Sequence, residues 1–167
     1  MNGGLMHPDA ALERRIDRAI DELQSPLSQR SLGLEAIALL ARLAHDSAQA
    51  MSLPIAFSLV DAHGRQRYFF SMDNALLISH TLAYQKAYTA VALRRPTHEL
   101  AALIQPGGDL YGLPHQPNLC AIGGGFPCRR NGLLLGGIGI SGGTVAEDIA
   151  IARRVLHEFG HKRFSLT

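Results

Sequence analysis

Residues 123–144 read GGGFPCRRNGLLLGGIGISGGT and contain the strongest folding signals of the chain. Asn131-Gly132 separates two strand-like stretches, residues 126–130 and 133–140. Asn-Gly favours a type I′ hairpin turn because both of its central residues need a positive φ. The segment leads into Thr144-Val145-Ala146-Glu147, a capping box in which the two polar side chains satisfy free backbone donors. The sequence therefore predicts an antiparallel hairpin followed directly by a helix.

Upstream of this hairpin, helical periodicity alternates with short strand-like stretches. The predicted elements are a helix at 34–51, strands at 55–61 and 65–72, and a helix at 75–94. His63-Gly64 is the predicted turn between the two strands, and Thr97 is predicted to cap a short following helix. Strands joined by hairpins, with helices elsewhere in the chain, predict an α+β domain with a mostly antiparallel sheet.

The N-terminal part is predicted to stand apart from this domain. Residues 9–24 form an amphipathic pattern in which Leu12, Ile16, Ile20 and Leu23 recur at helical spacing. Such a helix is too short to be stable alone in water, so it must dock on something. The predicted organisation is an amphipathic helix within residues 1–24, a linker at 25–33, the domain at 34–160 and a tail at 161–167.

Composition narrows the classes of protein to consider. The chain has 167 residues, of which 47% are hydrophobic and 18% charged, and its net charge is +2. These values fit a compact or oligomeric protein and argue against disorder, a nucleic-acid surface or an anionic-membrane surface. The absence of a membrane-length apolar stretch and of a signal-peptide pattern predicts a cytoplasmic protein. Two cysteines cannot build a disulfide framework.

Two features suggest a site for an anionic ligand. Gly123-Gly124-Gly125 can bring backbone N–H groups close to a ligand, and Ser141 leads into a helix N-terminus, which favours anions. Lys86 lies at helical spacing on a mostly apolar face, where it either extends to the protein edge or grips a ligand. Tight turns and close helix packing are the alternative explanation for the glycines.

Histidine spacing does not resemble a standard metal motif. His157 and His161, four residues apart, are predicted to be exposed at the end of the last helix. Candidate metal ligands that could reach one pocket are His80, His98, His115 and Cys120. Taken singly, each is more often a surface or core residue than a ligand, and the cysteines fit small buried thiols.

Six short stretches, taken in order and spacing, resemble the motifs of the GlcG/HbpS family, and Leu110-Tyr111-Gly112-Leu113 looks most like its branch that includes the C-terminal domain of PduO-type proteins. The six matching patterns are the VDxxG of VVDxxG at 60–64, RMDxA at 71–75 with Ser71 in place of arginine, KAxTA at 86–90, TxEL at 97–100, GGGxP at 123–127 and GAxGVSGG at 136–143, followed by Asp148. The resemblance runs from about Leu34 to Phe159.

The resemblance implies a profilin-like α+β fold with a central antiparallel sheet of about five strands, usually assembled into homo-oligomers. Family members are described as binding heme or iron, or as accessory proteins in glycolate, diol and corrinoid-linked metabolism. The helix within residues 9–24 resembles the encapsulation peptides that target enzymes to bacterial microcompartment shells. The alternative is a helix that packs on its own domain or oligomer.

We therefore expect an accessory protein that binds heme, a corrinoid or a small anionic metabolite. The expected ligand-binding residues are Lys86, Thr89, Gly123, Gly124, Gly125, Phe126, Pro127 and Ser141. One alternative is an enzyme acting on a carboxylate or carbonyl compound, in which Lys86 would be catalytic and the loop amides would stabilise negative charge. A second alternative is an oligomeric scaffold without a small ligand.

Overall fold

The structure, a computed structural model, describes Ile16 and residues 31–161. The predicted amphipathic helix at 9–24, apart from Ile16, lies outside the described residues, as do most of the linker and all but the first residue of the tail. The described residues from Leu32 onward form one compact unit. No helix in the described part has the length and apolarity needed to cross a membrane.

Three α-helices and four strands make up the described domain. The helices are α1 (Leu34–Ala50), α2 (Leu77–Ala92) and α3 (Val145–His161), and the strands are β1 (Ala56–Asp61), β2 (Gln66–Ser71), β3 (Gly125–Arg130) and β4 (Leu133–Ser141). The α+β prediction is confirmed, although the described sheet has four strands rather than about five. Between α2 and β3, short 3₁₀ helices at Thr97–Leu100 and Leu113–His115 replace any further strand. Prolines in this stretch remove the N–H donors that a strand needs.

The four strands form one antiparallel sheet in the order β2-β1-β4-β3. Helix α2 packs on one face, against β1, β4 and β3, while α1 and α3 pack together on the other. The main core lies between the sheet and α1 and α3, and it includes Phe57, Ile138 and Ile140. Strand β2 is an edge strand, and most of its side chains are exposed.

Glycines in β4 let helix α2 approach the sheet closely. A Cβ atom on Gly139 would overlap the carbonyl oxygen of Ala83, and one on Gly137 would lie 2.7 Å from the Val91 side chain. Both helix residues lie on the buried face of α2. The glycine-rich composition of β4 therefore has a packing role, as the alternative explanation of the glycines proposed.

The local turn and cap predictions are confirmed with one exception. Asn131 and Gly132 have φ values of 50° and 78°, as a type I′ turn requires. The Glu147 backbone N–H donates to Thr144 Oγ1 at 3.3 Å, and the Thr144 N–H donates to Glu147 Oε2 at 2.7 Å. The predicted cap at Thr97 is wrong, because Pro96 occupies the cap position and Thr97 lies inside the 3₁₀ helix with its hydroxyl bonded elsewhere.

The close approach of α2 and β4 makes a prediction about stability. Gly139→Ala should lower the free energy of unfolding by about 1–3 kcal/mol or more, because the new methyl group would overlap the Ala83 carbonyl. Gly160→Ala in α3 should raise it by about 0.5 kcal/mol, because nothing lies within 4 Å of its Cβ position and alanine is the better helix former. Urea titration measures both, and equal effects of the two substitutions would contradict the packing role of Gly139.

Candidate functional site

Lys86 lies on the buried face of α2, and only 1% of the residue is exposed. Its Nζ donates to Asp148 Oδ2 at 2.7 Å and to the Ile140 carbonyl oxygen at 2.9 Å. The ammonium group therefore has a counter-charge and two acceptors within the protein. Of the two explanations from the sequence, extension to the protein edge is excluded, and the lysine is held inside.

Asp148 completes this buried ion pair from the first turn of α3. Its Oδ1 accepts a hydrogen bond from the Gly143 N–H at 3.0 Å while Oδ2 accepts from Lys86. Burial raises the pKa of Asp148 above its ordinary value, an effect opposed by the Lys86 ammonium and by the N–H groups of Gly143 and Gly142. The pair joins α2, β4 and α3 through two side chains.

The glycine loop at 123–125 packs directly against this pair. A Cβ on Gly124, whose φ is +117°, would lie 2.7 Å from the Ile140 carbonyl oxygen and 3.2 Å from Lys86 Nζ. A Cβ on Gly125 would overlap the backbone carbonyl of Lys86. The loop and the lysine are neighbours, as predicted, and the missing side chains make room for protein atoms. Whether these residues also contact a ligand stays a prediction.

Two buried threonines fix the loop in place. Thr97 Oγ1 donates to the Ile122 carbonyl at 2.8 Å and accepts from the Gly125 N–H at 3.0 Å. Thr89, one of the predicted ligand-binding residues, accepts a hydrogen bond from the Cys120 N–H at 2.9 Å. Both hydroxyls therefore serve the conformation of the segment that leads into β3.

The remaining predicted binding residues lie on β3 and β4. Phe126 is buried, and its ring centroid is 5.3 Å from that of His98. Pro127 is half-buried in β3, and Ser141 is buried at the end of β4. Their assignment as ligand contacts stays a prediction, since each packs within the domain.

Sequence reasoning missed Asp148 and Thr97 as parts of this site. The contact of Asp148 with Gly143 is local, but its bond to Lys86 spans 62 positions. The signal available in the sequence was that Lys86 and Asp148 both belong to the family patterns. An aspartate that follows the glycine motif is the natural counter-charge for a lysine on an apolar face.

The predicted metal ligands do not share one pocket. His80 lies beside β2 at one edge of the sheet, with Nε2 2.8 Å from Ser71 Oγ. His98 lies beside Phe126 on β3 at the other edge, and its Nε2 is 3.3 Å from Arg153 Nη2. His115 is exposed in the second 3₁₀ helix. In the described residues no three His, Cys, Asp or Glu side chains are grouped to hold a metal ion.

Both cysteines are buried free thiols, as expected. Burial raises the pKa of Cys128 to about 12. Burial also raises the pKa of Cys120, although the Ile122 backbone N–H and the Lys86 charge oppose that effect. Because the thiolate is the metal-binding form, Cys120 is a poor ligand in this conformation.

Two cavities lie along the side of α2 that faces β2 and the turn after β1. The first, a groove of about 370 Å³, is lined by Gln66, Phe69, His80, Thr81 and Tyr84. The second, of about 230 Å³, is lined by Ala62, His63, Gly64, Tyr88, Val91, Ala92, Arg94 and Leu134. Neither is formed by the glycine loop.

The model of the family described as haem degrading protein HbpS-like matches residues 32–157. The chain belongs to the HbpS-like family. The match covers α1 through most of α3, so it includes the Lys86–Asp148 pair, the glycine loop and both cavities. The resemblance identified from the sequence motifs is confirmed.

Two relatives bear the name corrinoid adenosyltransferase PduO. That of Salmonella typhimurium is 45% identical over 119 residues, which are 70% of this chain and 35% of the relative. That of Citrobacter freundii is 38% identical over 155 residues, which are 90% of this chain and 46% of the relative. The HbpS-like chain therefore spans less than half of the length of either relative.

A solved structure provides a comparison of the whole domain. The crystal structure of a PduOC:heme complex superposes with a TM-score of 0.74 at 43% sequence identity, covering 76% of this chain and 94% of that chain. Nearly the complete domain of that protein thus has its counterpart here.

The buried ion pair predicts a large and asymmetric effect of substitution. Lys86→Met should lower the free energy of unfolding by about 3–5 kcal/mol, because it leaves the Asp148 carboxylate buried without a counter-charge. The double substitution Lys86→Met with Asp148→Asn should recover part of the lost free energy of unfolding. Arg154→Met, which removes the exposed ion pair with Glu158, should change it by about 0.5 kcal/mol or less. Chemical denaturation of the wild type and the three variants tests this, and a cost for K86M as small as that for R154M would contradict it.

Proposed function

We propose that this chain is a heme-binding accessory protein. The observation that carries the proposal is the structural match to the domain that was crystallised with heme, which covers 94% of that domain's length. The description of the family as haem degrading supports the same ligand. At 43% identity and a TM-score of 0.74, the two domains share their fold.

Heme iron is commonly held by a histidine, and the porphyrin ring packs on aromatic and apolar side chains. In the described part of the chain, three histidines contact a phenylalanine ring: His45 with Phe70, His80 with Phe69 and His98 with Phe126. The Nδ1 atom of His98 is buried, and Arg153 lies at its Nε2. His98 therefore offers no nitrogen to an iron atom without rearrangement, which leaves His45 and His80.

His80 has the better apolar surroundings. Its ring meets that of Phe69 edge-on at 5.6 Å, and both line the groove of about 370 Å³ together with Tyr84. Nε2 already contacts the Ser71 hydroxyl, which a ligand would have to displace or leave in place by using Nδ1. The groove is open to solvent because α2 does not cover edge strand β2.

His45 has the better arrangement around its ring nitrogens. Its Nδ1 lies 3.3 Å from Asp46 Oδ1, and this contact leaves Nε2 as the nitrogen for a metal. A carboxylate on the second nitrogen orients the ring and increases its basicity in many metal sites. The ring also meets Phe70 edge-on at 6.1 Å, on the opposite face of β2 from the His80 groove.

Heme titration of the full chain, followed by its Soret band, tests the proposal and assigns the ligand. His80→Ala or His45→Ala should weaken binding by about tenfold or more if that residue ligates the iron. His115→Ala is the matched control, because His115 is exposed and contacts no aromatic ring in the described structure. Hydroxocobalamin in a parallel titration distinguishes a corrinoid from heme.

Absence of a shifted Soret band in the wild-type protein would overturn the proposal and favour the enzyme or scaffold alternatives. Unchanged binding in both His80→Ala and His45→Ala would overturn the assignment to these surfaces. The enzyme alternative has less support, because the Lys86 ammonium is fully buried and already bound to Asp148 and Ile140.

Homo-oligomerisation is part of the proposal and rests on uncovered apolar surface. Leu76, Leu77 and Ile78 at the start of α2 are 63%, 83% and 58% exposed. Phe69 on edge strand β2 is also exposed, and its ring contacts His80, two residues after Ile78. An edge strand with free backbone groups beside an apolar patch is typical of a surface that pairs with another chain.

A role in diol or glycolate metabolism, inside a cytoplasmic microcompartment, is the context that we propose for this heme protein. Support comes from the PduO name of the two relatives and from the amphipathic sequence at 9–24. Residues 9–24 would then act as an encapsulation peptide that binds a shell protein. The adenosyltransferase activity in the relatives' name is not part of the proposal.

Deletion of residues 1–24 tests the targeting role. The truncated chain should remain folded, with unchanged heme binding, and should lose co-purification with shell proteins. The substitution Ile16→Asp within the full chain should reproduce the loss of co-purification by placing a charge on the apolar stripe. Co-purification that survives the deletion, or unfolding of the truncated chain, would instead favour a helix that packs on its own domain.

A further inference from the structure

The second cavity, of about 230 Å³, lies at the end of the sheet where β1 and β3 finish and β2 and β4 begin. Its walls come from the turn after β1, the last two turns of α2 and the first residues of β4. The volume is below the roughly 300 Å³ at which drug-sized pockets begin, so it suits a smaller ligand. The proposed heme-binding surfaces around His45 and His80 include none of the residues that line this cavity.

This end of the domain is strongly basic. The turns and strand ends that meet here, residues 61–66, 92–96 and 128–136, contain five arginines and one carboxylate, Asp61. One oxygen of that carboxylate accepts the backbone N–H groups of His63 and Arg65. Arg129 donates to the Arg94 carbonyl at 2.9 Å, which draws two of the basic residues together. The surrounding charge would attract an anion.

Arg94 lines the cavity in an unusual backbone conformation. Its φ is +54°, at the position after the end of α2 where glycine is the usual residue. A non-glycine residue in this region is strained, because its Cβ comes too close to the following carbonyl oxygen. Its guanidinium group has no ion-pair or hydrogen-bond partner among residues 31–161. An unpaired guanidinium at a cavity rim can bind a carboxylate or phosphate through two parallel hydrogen bonds.

Tyr88 and His63 supply further donors to the same cavity. The Tyr88 ring packs closely against Gly64 in the turn, where a Cβ atom would lie only 2.8 Å from Tyr88 Cε2. Its hydroxyl makes no hydrogen bond within the described range. Val91 and Leu134 form the apolar part of the wall. The cavity thus combines an apolar wall with a guanidinium, a phenol and an imidazole.

From this combination we infer that the cavity at His63, Tyr88 and Arg94 is a binding site for a compact oxyanion, a small metabolite that carries a carboxylate or phosphate group. The site is separate from Lys86, whose charge Asp148 already neutralises. It is also independent of heme binding, so either proposal can fail without the other.

Amide chemical shifts of the isotope-labelled, heme-free full chain test the inference, with sodium pyrophosphate and sodium acetate as probes at constant ionic strength. We expect saturable shifts confined to residues 62–64, 88–94 and 134. A response to pyrophosphate alone identifies a phosphate ligand, and a response to acetate alone identifies a carboxylate ligand.

Arg94→Asn removes the guanidinium while asparagine tolerates the positive φ, so the fold should be retained. It should weaken probe binding by about tenfold or more, the effect of losing a hydrogen bond to a charged group. Tyr88→Phe, which keeps the ring against Gly64, should weaken binding by a smaller factor. Arg42→Gln, at an exposed position of α1, is the control that removes the same charge, and it should leave the affinity unchanged.

Three results would overturn the inference. The first is no saturable shift with either probe. The second is equal affinity of the wild type and Arg94→Asn. The third is shifts distributed over arginines throughout the domain and weakened equally by Arg42→Gln, which would indicate a general response to charge.

Discussion

A lysine enclosed by protein requires a counter-charge, and this domain is organised around that requirement. Lys86 reaches from α2 to Asp148 on α3, with the Ile140 carbonyl as second acceptor. Because water is excluded, the loss of either partner would leave a buried charge. The ion pair therefore fixes the position of α2, on one face of the sheet, relative to α3, which follows β4.

The glycines of the domain follow from the same close approach. Gly124 and Gly125 leave room for Lys86 and its carbonyl, and Gly139 leaves room for the backbone of α2. The sequence predicts that Gly123, Gly124 and Gly125 bring backbone N–H groups close to a ligand, and in the described structure the atoms that the glycines approach include those of helix α2. A loop that is glycine-rich for packing and one that is glycine-rich for ligand binding look alike in a sequence.

With the Lys86 charge neutralised internally, surface features become the better candidates for binding. Helix α2 covers three strands and leaves the adjacent face of β2 open, so a groove with Phe69 and His80 follows directly from the sheet order. Further along the same helix, its end meets the turn after β1 and the start of β4, and Arg94 and His63 line one cavity there. Sheet topology thus places two chemically different surfaces on one helix.

The sequence alone determined the helices, the two hairpins and the family, because turns such as Asn131-Gly132 and caps such as Thr144 to Glu147 act over a few residues. It also singled out Lys86 as unusual. Only the tertiary structure decided that Asp148, 62 positions away, is its partner, and that His80 and His98 lie at opposite edges of the sheet. Such pairings depend on strand order and on which helix covers which strand, and periodicity within a segment carries no information about either.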